Sequence, residues 1–127
     1  MRWIIAFTLG IMVQAYSQSG DCTIFRNGKF KIESEVSGTS YIERKGNKQI
    51  ETDVRSQMKI ELKVKWIDEC TYILSFGRVL KNPENTTFPE DFVIKVAIVE
   101  VHNNYYVQES TSEFFDGAIR SKVLKLD

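Results

Sequence analysis

Histidine is nearly absent from this 127-residue chain, which has one, His102. A lone histidine beside Asn103-Asn104 in a predicted turn supplies neither a zinc constellation nor a nucleophile–base–acid triad. No serine lies in a Gly-x-Ser-x-Gly elbow, and no glycine-rich phosphate loop is present. Acidic pairs occur at Asp68-Glu69, Glu90-Asp91 and Glu113 with Asp116, but nothing in their spacing brings two of them to a glycosidase separation. They read as turn residues, and none has the spacing of an EF-hand calcium loop. The expectation is a non-enzymatic protein with no catalytic residue, metal or cofactor.

Charge of one sign is also lacking. Lysine and arginine number 17, as do aspartate and glutamate. Without a long-range field of one sign, nucleic acid and anionic membrane surfaces are poor partners. Long apolar runs are scarce too. The stretch Phe92 to Val101 is interrupted by Lys95 and Glu100, so after the N-terminus no segment is uniform enough to span a bilayer.

The N-terminus is the exception. Arg2 precedes an apolar run from Trp3 to Val13, and Ala15-Tyr16-Ser17 places small residues at −3 and −1 of a cleavage site before Gln18. Residues 1–17 are expected to be a cleaved signal peptide. A membrane anchor would need about 20 apolar residues. Asp21 stands before Cys22, which does not suit lipoprotein processing. The 127 residues less these 17 leave 110, one domain over residues 18–127 with room for a core. Losing Arg2 takes the basic count from 17 to 16 against 17 acidic residues, a net charge of −1. The expected location is the periplasm or the outside medium.

The two cysteines, Cys22 and Cys70, both lie in the exported part. In an oxidising compartment they have one intramolecular pairing available, a Cys22–Cys70 disulfide; two free buried thiols are the alternative.

What the chain has in quantity is alternation. Met58, Ile60, Leu62, Val64 and Trp66 alternate with Lys59, Glu61, Lys63 and Lys65; after Asp68-Glu69, Cys70, Tyr72, Leu74 and Phe76 resume the period. Period two over this length predicts two half-buried antiparallel strands and an acidic turn. Tyr41 to Lys45 and Lys48 to Asp53 flank Gly46-Asn47, a short hairpin loop. Asn82 to Asp91, holding both prolines, is the one extended loop, and Asn85-Thr86-Thr87 within it matches a glycosylation acceptor. Phe92 to Val101 is apolar on both faces and is expected to be covered on both sides for part of its length. Tyr105 to Ser110 follows, then a corner at Phe114-Phe115-Asp116-Gly117, then Ala118 to Leu126. The fold class is all-β: a single-domain antiparallel meander of seven or eight strands, closed as a small barrel or folded as a two-sheet sandwich.

The Gly46-Asn47 loop sets a register in which Lys45 opposes Lys48 and Arg44 opposes Gln49, with Glu51 diagonal to Arg44 on the face of Ile42. If that face points inward, Arg44, Gln49 and Glu51 form a polar cluster inside the β structure, able to hold a ligand's carboxylate or phosphate. If it points outward, they are a solvated rim. Trp66, Tyr72, Phe76, Tyr105, Tyr106, Phe114 and Phe115 either line an apolar cavity or fill an ordinary core. The residues placed best for a small, partly apolar ligand are Arg44, Gln49, Glu51, Trp66 and Tyr72. The alternative is a module for binding an envelope protein or a polysaccharide, presented by the Asn82–Asp91 loop and the Tyr105-Tyr106 and Phe114-Phe115 pairs.

The pieces Cys22, Gly28-Lys29-Phe30, Ile42-x-Arg44, Gln49-x-Glu51, Val64-Lys65-Trp66, Asp68-Glu69-Cys70-x-Tyr72-x-Leu74 and Val96-Ala97-Ile98-Val99 together resemble a family of small exported bacterial proteins of unknown function. The resemblance covers nearly the whole exported chain and implies a lipocalin-like all-β body. Some relatives carry the automatic label DNA topoisomerase IV. An exported, nearly neutral chain of this length does not suit that activity. The Gly-x-Trp signature of true lipocalins is missing from the first strand, which argues against a retinoid-like or haem-like ligand.

Overall fold

The computed structural model describes residues 21–35 and 37–126, so the predicted leader lies outside them. A short 3₁₀ turn, Cys22–Phe25, precedes eight strands: β1 (Gly28–Ser34), β2 (Gly38–Lys45), β3 (Lys48–Asp53), β4 (Lys59–Asp68), β5 (Thr71–Lys81), β6 (Val93–Val101), β7 (Tyr105–Ser112) and β8 (Phe115–Lys125). Each strand pairs antiparallel with the next, and β8 pairs with β1, closing a small lipocalin-like barrel. Closure removes the free edges that an open sheet would present for aggregation. It also decides between the two architectures the alternation allowed, in favour of the barrel.

Alternation along each strand sorts the side chains. Ile60, Leu62 and Val64 of β4 are buried, whereas Lys59, Lys63 and Lys65 between them face water. Phe30, Ile42, Tyr72, Leu74, Val96, Ile98, Tyr106 and Val123 complete an interior contributed by nearly every strand. The Gly46-Asn47 hairpin has the predicted register, Lys45 opposite Lys48 and Arg44 opposite Gln49.

Two strands bend to close the barrel. In β5 the register steps between Leu62↔Phe76 and Glu61↔Arg78, leaving Gly77 as the extra residue. A Cβ on Gly77 would lie 2.5 Å from the Glu61 carbonyl oxygen, so only glycine allows this approach. In β6 the step between Ile98↔Gln108 and Glu100↔Val107 passes over Val99 and turns Val101 toward the core.

Two expectations are corrected. Strand β6 is covered on one side, not two: Val96 and Ile98 are buried but Val93 is 46% exposed, because nothing among the described residues forms a second layer outside the wall. The last corner is Glu113-Phe114, and Phe115 already pairs with Ser112 at the start of β8.

Hairpin connections alternate between the two ends of the barrel. At one end lie the β2–β3, β4–β5 and β6–β7 turns. Here the 3₁₀ turn plugs the opening. Asp21 starts it by accepting from Thr23 N and Oγ1, at 2.9 and 2.6 Å. Phe25 is fully buried, its ring 4.8 Å from Tyr106 and 6.4 Å from Phe30. The Cys22–Cys70 disulfide ties the plug to the β4–β5 turn, as expected for an oxidising compartment. At the other end, the mouth, lie the β3–β4 turn and the long β5–β6 loop.

Candidate functional site

The interior carries an unusual amount of polarity for so small a barrel. Arg44 is 2% exposed and Gln49 is 1% exposed. A buried guanidinium is tolerated only when its donors are matched. Arg44 Nε donates to Gln49 Oε1 (2.9 Å), Nη1 to the Phe25 carbonyl (2.7 Å), and Nη2 to the hydroxyls of Tyr72 (3.0 Å) and Tyr106 (3.1 Å). Its charge also sits 4.8 Å from the ring centres of Phe30 and of Tyr72. Burial works against the charge, but Tyr106 and Tyr72 beside it, and Glu51 beyond Gln49, hold the guanidinium above the ordinary arginine value. It therefore stays charged at any physiological pH.

From Arg44 the chain of hydrogen bonds runs in two directions. On one side Tyr72 donates to Gln108 Oε1 at 3.1 Å, and Gln108 Nε2 reaches Ser110 Oγ at 3.5 Å. Burial pushes the Tyr72 hydroxyl well above its usual range, so it remains a neutral donor. On the other side Gln49 Nε2 donates to Glu51 Oε1 at 3.0 Å. The Gln49 amide thus stands between the arginine and the carboxylate and orients both. Glu51 is half-buried in the barrel wall, and desolvation raises its carboxyl, with the Gln49 hydrogen bond and Arg44 opposing.

Glu51 opens onto empty space. A cavity of about 220 Å³ lies at the mouth. Ile32, Met58, Ile60 and Phe88 supply its apolar surface, and Ser37, Ser40, Glu51 and Asp53 its polar surface. Ser40, Glu51 and Asp53 are neighbours because the β2–β3 register sets Ser40 opposite Asp53 and Ile42 opposite Glu51. Asp53 also shapes the β3–β4 turn by accepting from Ser56 N and Oγ, both at 2.8 Å; these bonds hold its carboxyl below the usual range. Phe88, from the β5–β6 loop, covers the cavity as the middle ring of a cluster. Its centre lies 5.5 Å from Phe76 and 4.9 Å from Phe92, and Phe92 lies 5.9 Å from Phe114. Larger concavities lie on the outside. One of about 650 Å³ spreads over the outer faces of β1–β3, where the stems of Lys29, Lys45 and Lys48 provide the apolar surface. Like the mouth cavity it is open to solvent, but it lacks the convergent polar groups of a built site.

The five residues predicted to hold a ligand are brought together, in two settings. Arg44, Gln49 and Tyr72 face inward, but their polar groups are bonded to one another and to the plug. Glu51 alone of the five reaches the cavity. Trp66 packs tilted against Tyr72, ring centres 4.5 Å apart, and the Arg26 guanidinium lies over the Trp66 ring, 4.7 Å from its centre, with Trp66 Nε1 and Arg26 Nε buried and unpaired. The aromatic pairs proposed for a docking surface divide as well. Tyr106 is fully buried, Tyr105 stacks on His102 at 4.2 Å, and Phe114 joins the ring cluster at the mouth. Sequence reasoning missed Ile32, Ser40, Asp53, Met58, Ile60 and Phe88. Period two from Glu51 would have added Asp53, and its cross-strand partner Ser40; nothing local marks Phe88, which arrives on a loop. Among the described residues, no three histidine, cysteine, aspartate or glutamate side chains gather as a metal site requires.

No family model, curated protein or solved structure matches the chain.

Proposed function

We propose that this protein is an exported, non-enzymatic binding module, akin to the small bacterial family its sequence resembles, that takes one small and partly apolar ligand in the mouth of the barrel. The observation that carries this reading is the cavity of about 220 Å³ whose walls are divided between Ile32, Ile60, Met58 and Phe88 on one part and Ser37, Ser40, Glu51 and Asp53 on the other. Ligand sites are commonly apolar hollows with a few placed polar groups, often in the mouths of β-barrels. The volume limits the ligand. Drug-sized sites run from about 300 Å³ upward, so this one suits a smaller molecule and excludes a long acyl chain while Phe88 stays in place.

Native mass spectrometry of the purified protein, with titration of short alcohols and a fluorescent apolar probe, tests the reading. One-to-one, saturable binding of the small probes and rejection of palmitate are expected. A barrel that binds none of them, with Met58 and Phe88 packed into the mouth in an experimental structure, would overturn it.

A further inference from the structure

We infer that the ligand is an organic cation: an ammonium group on a compact apolar body, with the charge seated on Glu51. This inference rests on the proposed use of the mouth cavity and adds the chemistry of its occupant.

The ionisable side chains of the cavity wall are Glu51 and Asp53, and no lysine or arginine lines it. Arg44, the buried cation nearest in the hydrogen-bond chain, is turned toward the Phe25 carbonyl and the two tyrosines, with Gln49 between it and Glu51. Asp53 is already served by Ser56, and by Arg55 on the same exposed turn. Glu51 is not served in this way. Gln49 Nε2 donates to its Oε1, no further donor to this half-buried carboxylate occurs among the described residues, and the side chain lines the cavity.

A half-buried carboxylate facing an apolar hollow is partly shielded from water and favours a positive partner. An ammonium group has three N–H donors and one positive charge. Seated at Glu51, it would find Ser40 and Asp53 within a cross-strand neighbour's reach, since Ser40 and Asp53 are directly paired and Glu51 sits two residues from Asp53 on the same face. The remainder of the ligand would lie against Ile32, Ile60 and Met58 beneath the Phe88 ring. The cavity has room for about seven water molecules, taking about 30 Å³ for each. An arylalkyl or short alkyl amine is of that size.

Isothermal titration of the purified protein with 2-phenylethylamine, 2-phenylethanol and phenylacetate, which share one apolar body, reads the inference directly. The amine is expected to bind at least tenfold more tightly than the alcohol, as a charge-assisted hydrogen bond implies, and phenylacetate most weakly. Glu51→Gln keeps a side chain able to pair with Gln49 and removes the charge. It should bring the amine to within threefold of the alcohol and leave the alcohol unchanged. Met58→Trp, filling the cavity, should abolish binding of all three, with an unchanged circular dichroism spectrum to show that the barrel is intact. Equal binding of amine and alcohol, preference for phenylacetate, or an undiminished amine affinity in Glu51→Gln would overturn the cation while leaving the cavity in use. Failure of all three probes to bind would remove the cavity reading and the cation with it.

Discussion

The two ends of this barrel are built from the same alternating strands, yet they hold their polar groups in opposite ways. At the plugged end Arg44 has a partner for Nε, Nη1 and Nη2, and the partners come from far along the chain: Phe25 is 19 residues from Arg44 and Tyr106 is 62; the nearby Trp66 Nε1 and Arg26 Nε stay buried without one. At the mouth, Glu51 accepts from Gln49 and lines the cavity, and the cover is a half-buried phenylalanine on a loop. The lesson is that a buried arginine bonded to its neighbours and a half-buried carboxylate facing a hollow, on one inward face, mark different roles. The first fixes the fold, and the second is available to something outside the chain. Gln49 joins the two without merging them.

If this division is right, the largest losses of stability come from the plugged end. Replacing both Cys22 and Cys70 by alanine releases a crosslink over a sequence separation of 48, and should cost up to about 4 kcal/mol of unfolding free energy in the chain-entropy picture. Urea denaturation reads it. Arg44→Met should come next, at about 3 kcal/mol, because the buried Phe25 carbonyl and Gln49 Oε1 lose their donor. Both substitutions act on the plug, so together they should cost less than their sum, as expected for groups that share a partner. Full additivity would mean that plug and arginine act separately.

The mouth should respond more weakly. Phe88→Ala removes a half-buried ring, and about 1.5 kcal/mol is expected, well under the loss for a fully buried phenylalanine. The same change should let 1-octanol bind where the native barrel rejects it, with no change in the near-ultraviolet signal of Tyr72 and Tyr106. The smallest effect on stability belongs to Glu51→Gln, within about 1 kcal/mol at neutral pH. Its signature is the pH profile. The Glu51 carboxyl is raised above its ordinary value of 4.5 in the fold. Its contribution is therefore complete in acid, where both states hold the proton, and declines as pH rises from that value through the raised one. Asp53, held below its ordinary 3.8, acts in the opposite sense and its contribution fades on acidification. Thermal melts between pH 4 and 8 should show a decline in the native protein that Glu51→Gln flattens.

Much of the frame was readable from the chain because it depends on local pattern. The Gly46-Asn47 loop sets the hairpin register, so Arg44 opposite Gln49 could be read before any coordinates. The alternation from Met58 to Phe76 gives β4 and β5, and two cysteines with one possible pairing give the disulfide. The direction of the β2–β3 face was not readable. Its inward residues, Ile42, Arg44, Gln49 and Glu51, are no more apolar than Tyr41 and Ile50 on the outside. Only Phe25, Tyr72 and Tyr106, brought from distant parts of the chain, make an inward arginine acceptable. Strand β6 misled for a related reason: a continuous apolar run resembles a strand buried on both sides, but here a bulge at Val99 shifts which residues face inward. The mouth was hidden because Phe88 reaches it on a loop, where no period applies.

The most direct measurement is amide chemical-shift mapping of the isotope-labelled protein titrated with 2-phenylethylamine. The largest shifts are predicted at Ser40, Glu51, Asp53, Ile60 and Phe88, with Phe25, Arg44, Tyr72 and Tyr106 little moved. Shifts centred on Arg44 and the plug, or spread over the outer wall of β1–β3, would contradict the division between the two ends.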